Sequence, residues 1–371
     1  MRAKAIVVGV VAATMLGVGC KPVTAADPGT PTDDTATLQA QFDALKPGST
    51  LTLQPRNYYH SGTLAIRASD VTIDGNGANL IATNDETSAI DVLGDGITVK
   101  NATFSAPTTG QRWMGEQQHK LVVKGQRATI ANVTVSGSAG AGIYVSGAQN
   151  FTISDVSIAG TRADGLHMTD GAAYGHVENI RTDQTGDDGV AVVSYDHDKA
   201  PCHDITESNI NVASNRWGRG ITVVGGYNVS VSNFSVAQTS SAGLYVATEG
   251  KPYYTRSVDH ISFSGGTVTN ANYNPDIEQG AILVSHGNPG RHVQDVAITD
   301  VTVSGTGPQL NRNVAVIDET DGSADAIRGI ALTRIRLTDT TVAPFYTDLP
   351  PSSYTATQWT LNGIPIAVRS I

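Results

Sequence analysis

Cysteine is almost missing from this chain: Cys20 and Cys202 are the only two in 371 residues. That excludes a metal cluster built on thiolates and a disulfide framework of several bridges. If Cys20 leaves with a leader or is lipidated, Cys202 has no partner within the chain. Charge is scarce too, at 16% of residues, and the basic side chains are outnumbered 24 to 34. A net charge of −10 argues against nucleic acid or an anionic membrane surface as partner, because both call for clustered cations. A polyanionic glycan is disfavoured on the same ground. After residue 18 no apolar run is long enough to span a bilayer, so no integral membrane helix is expected.

The single long apolar stretch, Ala5 to Val18, follows Arg2 and Lys4 and runs into small residues. This is the layout of an export signal. Val23-Thr24-Ala25 fits a cleavage site that would make residues 1–25 a signal peptide and the protein secreted. Gly19-Cys20 loosely resembles a lipoprotein box, although Gly17 stands where that box has leucine. Cleavage after Ala25 would remove Arg2, Lys4 and Lys21 and no acid, leaving a still more acidic chain.

What is plentiful is glycine, 39 in all, set among Thr, Ser and Val. The balance favours short strands and turns over helices. After a Pro/Thr/Asp-rich linker, Leu38, Phe42 and Leu45 share one face of a short helix started by Thr32 or Asp33. Residues 26–50 are thus read as linker and N-terminal cap helix.

From there two columns recur every 23 to 37 residues. The first is an Asn or Asp between strand-like runs: Asn101, Asn132, Asp155, Asn179, Asn209, Asn233 and Asp300. These residue types tolerate left-handed backbone, so a turn is expected at each, with stacked amides bonded up a ladder. The second is a glycine followed by alternating apolar residues, at Gly142, Gly165, Gly189, Gly220, Gly243 and Gly280. Period-2 alternation points Ile143, Leu166, Val190, Ile221, Leu244 and Ala281 inward, with Val145, Met168, Val192, Val223, Val246 and Leu283 two residues on. The outward positions between them are Tyr144, His167, Ala191, Thr222, Tyr245 and Ile282.

No such coil buries its apolar face alone, and stacking is the remedy. The expected fold is all-β: a single right-handed parallel β-helix of about ten coils over residues 51–341, capped by the N-terminal helix, with an irregular C-terminal cap over 342–371. Neighbouring rungs lie ~4.8 Å apart. Asp164, the Asp187/Asp188 pair and Arg219 therefore meet on three consecutive coils. A lone Asp in such a fold is ordinarily a turn residue, but stacked like charges are a cost without benefit unless a site uses them. Ala191 and Thr222 would open the middle of the outward face, and Tyr144 and Tyr245, four coils or roughly 19 Å apart, would flank it as sugar platforms. Trp217, two residues before Arg219, is a further platform, and Trp113 in TTGQRWMGEQQHK is a platform or a packing anchor. His167 binds substrate or merely solvates the groove. The insertion GKPYYTRSV, residues 250–258, supplies a wall through Tyr253, Tyr254 and Arg256.

The segments TRADGLH, TGDDGVAV and WGRGITV resemble, in order and spacing, the Asn-Thr-Asp, Gly-Asp-Asp and Gly-His-Gly signatures of polygalacturonase-type glycoside hydrolases. AGLYVAT stands in place of their Arg-x-Lys segment, and DDTATLQAQFDALKPGSTLTLQPRNYY resembles the start of many pectin-lyase-like β-helix proteins. The resemblance implies inverting hydrolysis of a glycosidic bond in a polysaccharide or oligosaccharide, by a monomer without cofactor. Asp187 becomes the general acid, Asp164 and Asp188 the candidate bases, and His167, Arg219, Tyr245, Tyr144 and Trp217 the substrate-binding residues. Crowded carboxylates agree with this, since like charges keep one of them protonated. An inverting pair needs ~6.5–9.5 Å between acid and base. Arg219 replaces the family's histidine, and Tyr245 and Ala247 replace its Arg and Lys, which argues for a neutral sugar. Arg219 then either holds the carboxylates charged or grips an acidic substrate.

Two other classes remain open. A polysaccharide lyase or epimerase would use Arg219 or His167 as base, with the three aspartates neutralising a uronate or binding Ca²⁺. YDHDK, residues 195–199, resembles the Asp-Pro-His-Asp motif of alginate epimerases without its proline, and is read as a solvated loop. A non-catalytic glycan-binding β-helix would use the same groove without turnover.

Overall fold

Eleven short strands stack in one parallel sheet, from Leu64–Ile66 to Phe345–Thr347, one strand from each coil. The structure, a computed structural model, describes residues 31–307, 312–320 and 326–368, and these strands belong to the unit Asp33–Ile371. The proposed signal segment lies outside the described residues.

The register is that of the glycine column. Ile143 pairs with Leu166, Leu166 with Val190, Val190 with Ile221 and Ile221 with Leu244, so each aliphatic side chain sits above its predecessor. All five are fully buried. Burying each is worth ~1.5–3 kcal/mol. One continuous apolar core runs from Leu38 and Phe42 of the helix to Phe345 and Trp359 at the far end.

The other faces of the solenoid are joined in an 18-stranded sheet, because long strands such as Thr152–Thr161 bend without breaking. The bend is the Asn/Asp column. Asn101, Asn132, Asp155, Asn179, Asn209, Asn233 and Asp300 all have φ between 52° and 58°. In Thr152–Thr161 burial passes from Ile153 to Val156 across this left-handed residue, which turns the strand onto the next face. The amides form a directed ladder: Asn132 Nδ2 donates to Asn101 Oδ1 at 2.8 Å, Asn179 to Asp155 at 2.9 Å and Asn209 to Asn179 at 2.9 Å. Asp155 has no amide proton to pass down, so a second run starts from it.

Three expectations change. The helix spans Thr35–Asp43 rather than starting at Thr32 or Asp33; Asp33 accepts the Thr35 N–H at 2.8 Å, while Asp34 is taken up by Arg56. The strand after Gly280 is offset by one residue. Gly280 adopts φ +79°, adding a residue to the turn, so Ile282 and Val284 continue the inward column and Leu283 faces outward beside Tyr245. Ten of the eleven rungs lie within residues 51–341, in agreement with the expected number of coils, and Phe345–Thr347 adds one beyond them. Finally, the C-terminal end is regular: Phe345 continues the inward column above Val314, parallel pairing persists to Leu361, and antiparallel Ile364–Ile366 closes the stack.

Candidate active site

Asp164, Asp188 and Arg219 are stacked on consecutive rungs, as the Gly165 N–H donates to Asp188 O and the Gly189 N–H to Arg219 O. Their side chains continue the same ladder. Asp164 Oδ1 accepts the Asp188 N–H at 3.0 Å, and Asp188 Oδ1 accepts the Arg219 N–H at 2.7 Å. Thr222 Oγ1 donates to the other Asp188 oxygen at 3.0 Å. Asp187 is outside this ladder: its carboxylate faces the cleft and accepts from Arg112 at 2.6 Å. Gly218, at φ +78°, lets the next rung pass over the pair, since a Cβ there would collide with Asp187 Oδ1 and Asp188 Oδ1.

One oxygen from each of Asp164, Asp187 and Asp188 lies within 4.8 Å of the others. The closest approach is thus shorter than the ~6.5–9.5 Å expected of an inverting pair. Arg112 and His167 bind the cluster from two sides, at 2.6 Å and 2.5 Å. The same donor set, oxygen-rich and compact, is of a kind that could hold a hard cation such as Ca²⁺.

The three carboxyls differ in proton affinity. Burial acts to raise Asp164, but the His167 hydrogen bond and charge, aided by Arg112 and the Asp188 N–H, hold it below the ordinary 3.8. Burial raises Asp187, and the Asp164 charge adds to this against the pull of Arg112. Burial and the Asp187 charge push Asp188 well up, opposed by Arg219. One member is thereby kept ionised while the adjacent pair retains a proton, the division of labour that acid–base chemistry requires.

These groups line the floor of a cleft of about 810 Å³. The insertion around Trp113 supplies one wall. It is held by the buried Arg162, which donates to Pro107 O and Gln111 O, both at 2.9 Å, and pairs with Asp85. Tyr253 and Tyr254, both exposed, supply another wall. Arg256 does not face the cleft wall as expected; its Nε donates to Tyr195 O at 3.0 Å and fastens the two loops together.

The sequence-derived residues divide clearly. Asp164, Asp187, Asp188, His167, Tyr144, Arg219 and Trp217 all border the cleft, Trp217 being 54% exposed. Tyr245 does not serve as a platform. It is 4% exposed, with the Arg219 guanidinium 4.3 Å above its ring, and belongs to a second apolar cluster with Leu283 and Ala247. Ala191 and Thr222 do not open the outward face either: both are fully buried, Ala191 in the cluster against which Tyr195 packs. Arg219 meets Asp188 through its backbone, while its guanidinium binds Glu249 at 3.0 Å. YDHDK is not a solvated loop: Asp198 is buried, Asp196 is paired with Arg291 at 2.6 Å, and Tyr195 and His197 border the cleft. Sequence reasoning missed Arg112, His119 and Glu249. None lies in a repeat column, and the only hint was the charged, aromatic character of the insertion.

Fold and site together define a right-handed parallel β-helix with an acidic cleft on one lateral face. Residues 88–258 match the family model described as a right handed beta helix region. No curated protein matches the sequence. Among solved structures, a GH87 alpha-1,3-glucanase catalytic domain in complex with tetrasaccharides superposes with a TM-score of 0.67 at 14% identity, covering 92% of this chain and 70% of that one. The GH87 alpha-1,3-glucanase catalytic unit from Streptomyces thermodiastaticus gives 0.64 at 16%, covering 91% and 67%. The A-module of the Azotobacter vinelandii mannuronan C-5 epimerase AlgE4 gives 0.61 at 12%, covering 88% and 96%.

Proposed function

We propose that this protein hydrolyses glycosidic bonds of a neutral polysaccharide, with Asp187 as general acid and Asp164 as the base that activates water. The observation that carries the reading is the meeting of three carboxylates of opposed proton affinity on the floor of one cleft. Asp187 protonates the glycosidic oxygen as its bond to the anomeric carbon breaks. Water forms the new bond and yields its proton to Asp164. Asp188, whose two oxygens accept the Arg219 N–H and the Thr222 hydroxyl, fastens the next rung to its own. Four of the similar glucanase structures carry an aspartate-to-alanine substitution, at three positions successively 23 and 1 residues apart, and Asp164, Asp187 and Asp188 stand at the same intervals. A neutral sugar follows from the cations: Arg112 is paired with Asp187 and Arg219 with Glu249, so neither is left to hold a uronate.

A lyase or epimerase is the second reading, favoured by Tyr195 and His197 at the cleft and by the epimerase similarity over 96% of that module. Incubation with a panel of neutral and uronate glycans, with and without chelator, tests both. New reducing ends in chelator support hydrolysis. An unsaturated, ultraviolet-absorbing product or a C5-inverted uronate, lost in chelator, overturns it. Binding without any product would mark a glycan-binding protein.

A further inference from the structure

Three rings of the cleft stand in a row on the N-terminal side of the carboxylates. The His119 ring lies 4.1 Å from that of Tyr144 with an interplanar angle of 5°, and Tyr144 lies 5.2 Å from His167 at 10°. The stack ends on the site itself, because His167 Nδ1 is 2.5 Å from Asp164 Oδ2. All three rings border the cleft. Strand register fixes the row, with Tyr144 paired to His167 on the next rung.

The polarity of the first ring is also fixed. His119 Nδ1 accepts the Ala141 N–H at 2.8 Å, so a neutral ring carries its proton on Nε2. Burial, with the His167 charge, drives its pKa down to about 3, so it stays neutral. Tyr144 is likewise kept as a phenol by burial. The Arg112 guanidinium, which acts electrostatically on His119, is already bound to Asp187.

We propose that His119 and Tyr144, stacked on His167 of the catalytic site, form a sugar subsite for an uncharged glycosyl residue, one or more units removed from the scissile bond, in which His119 Nε2–H and the Tyr144 hydroxyl donate to sugar hydroxyls. This assignment rests on the hydrolase reading and specifies its substrate on one side of the cut. The stacked faces hold one another, leaving the polar ring edges for the ligand. Tyr144 and His167 are register partners on neighbouring rungs, and His119, two residues before the Leu121–Val123 strand, extends the row, with ring centroids 4.1 and 5.2 Å apart. That presents hydrogen-bonding groups along a chain instead of at one point.

The test is chain-length dependence. Neutral gluco-oligosaccharides from disaccharide to hexasaccharide are offered to wild type, Tyr144→Phe and His119→Phe. Both variants keep an aromatic ring in the stack, and Tyr144→Phe leaves every backbone contact in place. The expected result is a KM raised about tenfold per lost hydrogen bond for the longer substrates, and raised less for the disaccharide. Equal KM values for wild type and Tyr144→Phe at every length overturn the subsite and leave the hydrolase reading intact. Wild type that binds or cleaves only uronate oligomers overturns the uncharged-sugar assignment. Full turnover by Asp187→Asn overturns the hydrolase reading separately.

Discussion

His167 Nδ1 approaches Asp164 Oδ2 to 2.5 Å, three residues along the same chain and on the floor of the cleft. The pair keeps a buried carboxylate ionised where burial alone would protonate it. It also separates Asp164 from its two neighbours, whose proton affinities move the other way.

The pH profile follows in sign. Activity needs Asp164 ionised and Asp187 protonated, so kcat/KM rises at a pH below the ordinary aspartate value of 3.8 and falls above it. In His167→Ala, Asp164 loses the group that holds it down, and the acidic limb moves to higher pH. His167→Gln, which keeps a donor but no charge, moves it less. A rate profile against pH for the three proteins decides; an unmoved acidic limb in His167→Ala removes Asp164 as base.

Asp187→Asn is expected to lower kcat by ~10²–10⁴, the usual worth of a general acid, while oligosaccharide binding persists. The pair with Arg112 is part-exposed, so stability should change by less than ~1 kcal/mol. Single-turnover kinetics and thermal melts separate the two effects.

Glu207 faces inward, 1% exposed, with neither carboxylate oxygen hydrogen-bonded. Burial lifts its pKa from 4.5 to about 8. Between those values the folded protein holds a proton that the unfolded chain has released, so stability falls as pH rises through that window and is intact below it. Glu207→Gln should be more stable than wild type by on the order of 4 kcal/mol at pH 8, and nearly equal at pH 4. Denaturant midpoints at the two pH values check this.

Asn179 combines φ 56° with two ladder bonds, to Asp155 and from Asn209. Asn179→Gly keeps the conformation and should cost ~0.5–1.5 kcal/mol for exposed hydrogen bonds. Asn179→Ala adds ~1–2 kcal/mol for a Cβ in left-handed backbone. Equal losses in the two variants, measured by denaturant unfolding, would show that the ladder, not the turn, fixes the column.

Repetition made much of the molecule legible. The seven left-handed Asn and Asp corners and the inward aliphatic column through Leu244 could be read from the chain because each coil repeats the same local geometry, and register then places Asp164, Asp188 and Arg219 one above another. The repeat fails where a residue is added: the left-handed Gly280 moves the next strand by one, and spacing alone could not show it.

What only the tertiary structure decided lies in the loops and in what they cover. Arg112 reaches Asp187 from 75 positions upstream, on an insertion whose path is set by Arg162 and not by any period. Tyr245 occupies an outward position and is nonetheless buried, because Arg219 and Glu249 close over it. Sequence alternation says which side of a sheet a side chain leaves from. Whether that side meets water or another segment depends on loop packing between distant residues, which no local pattern encodes.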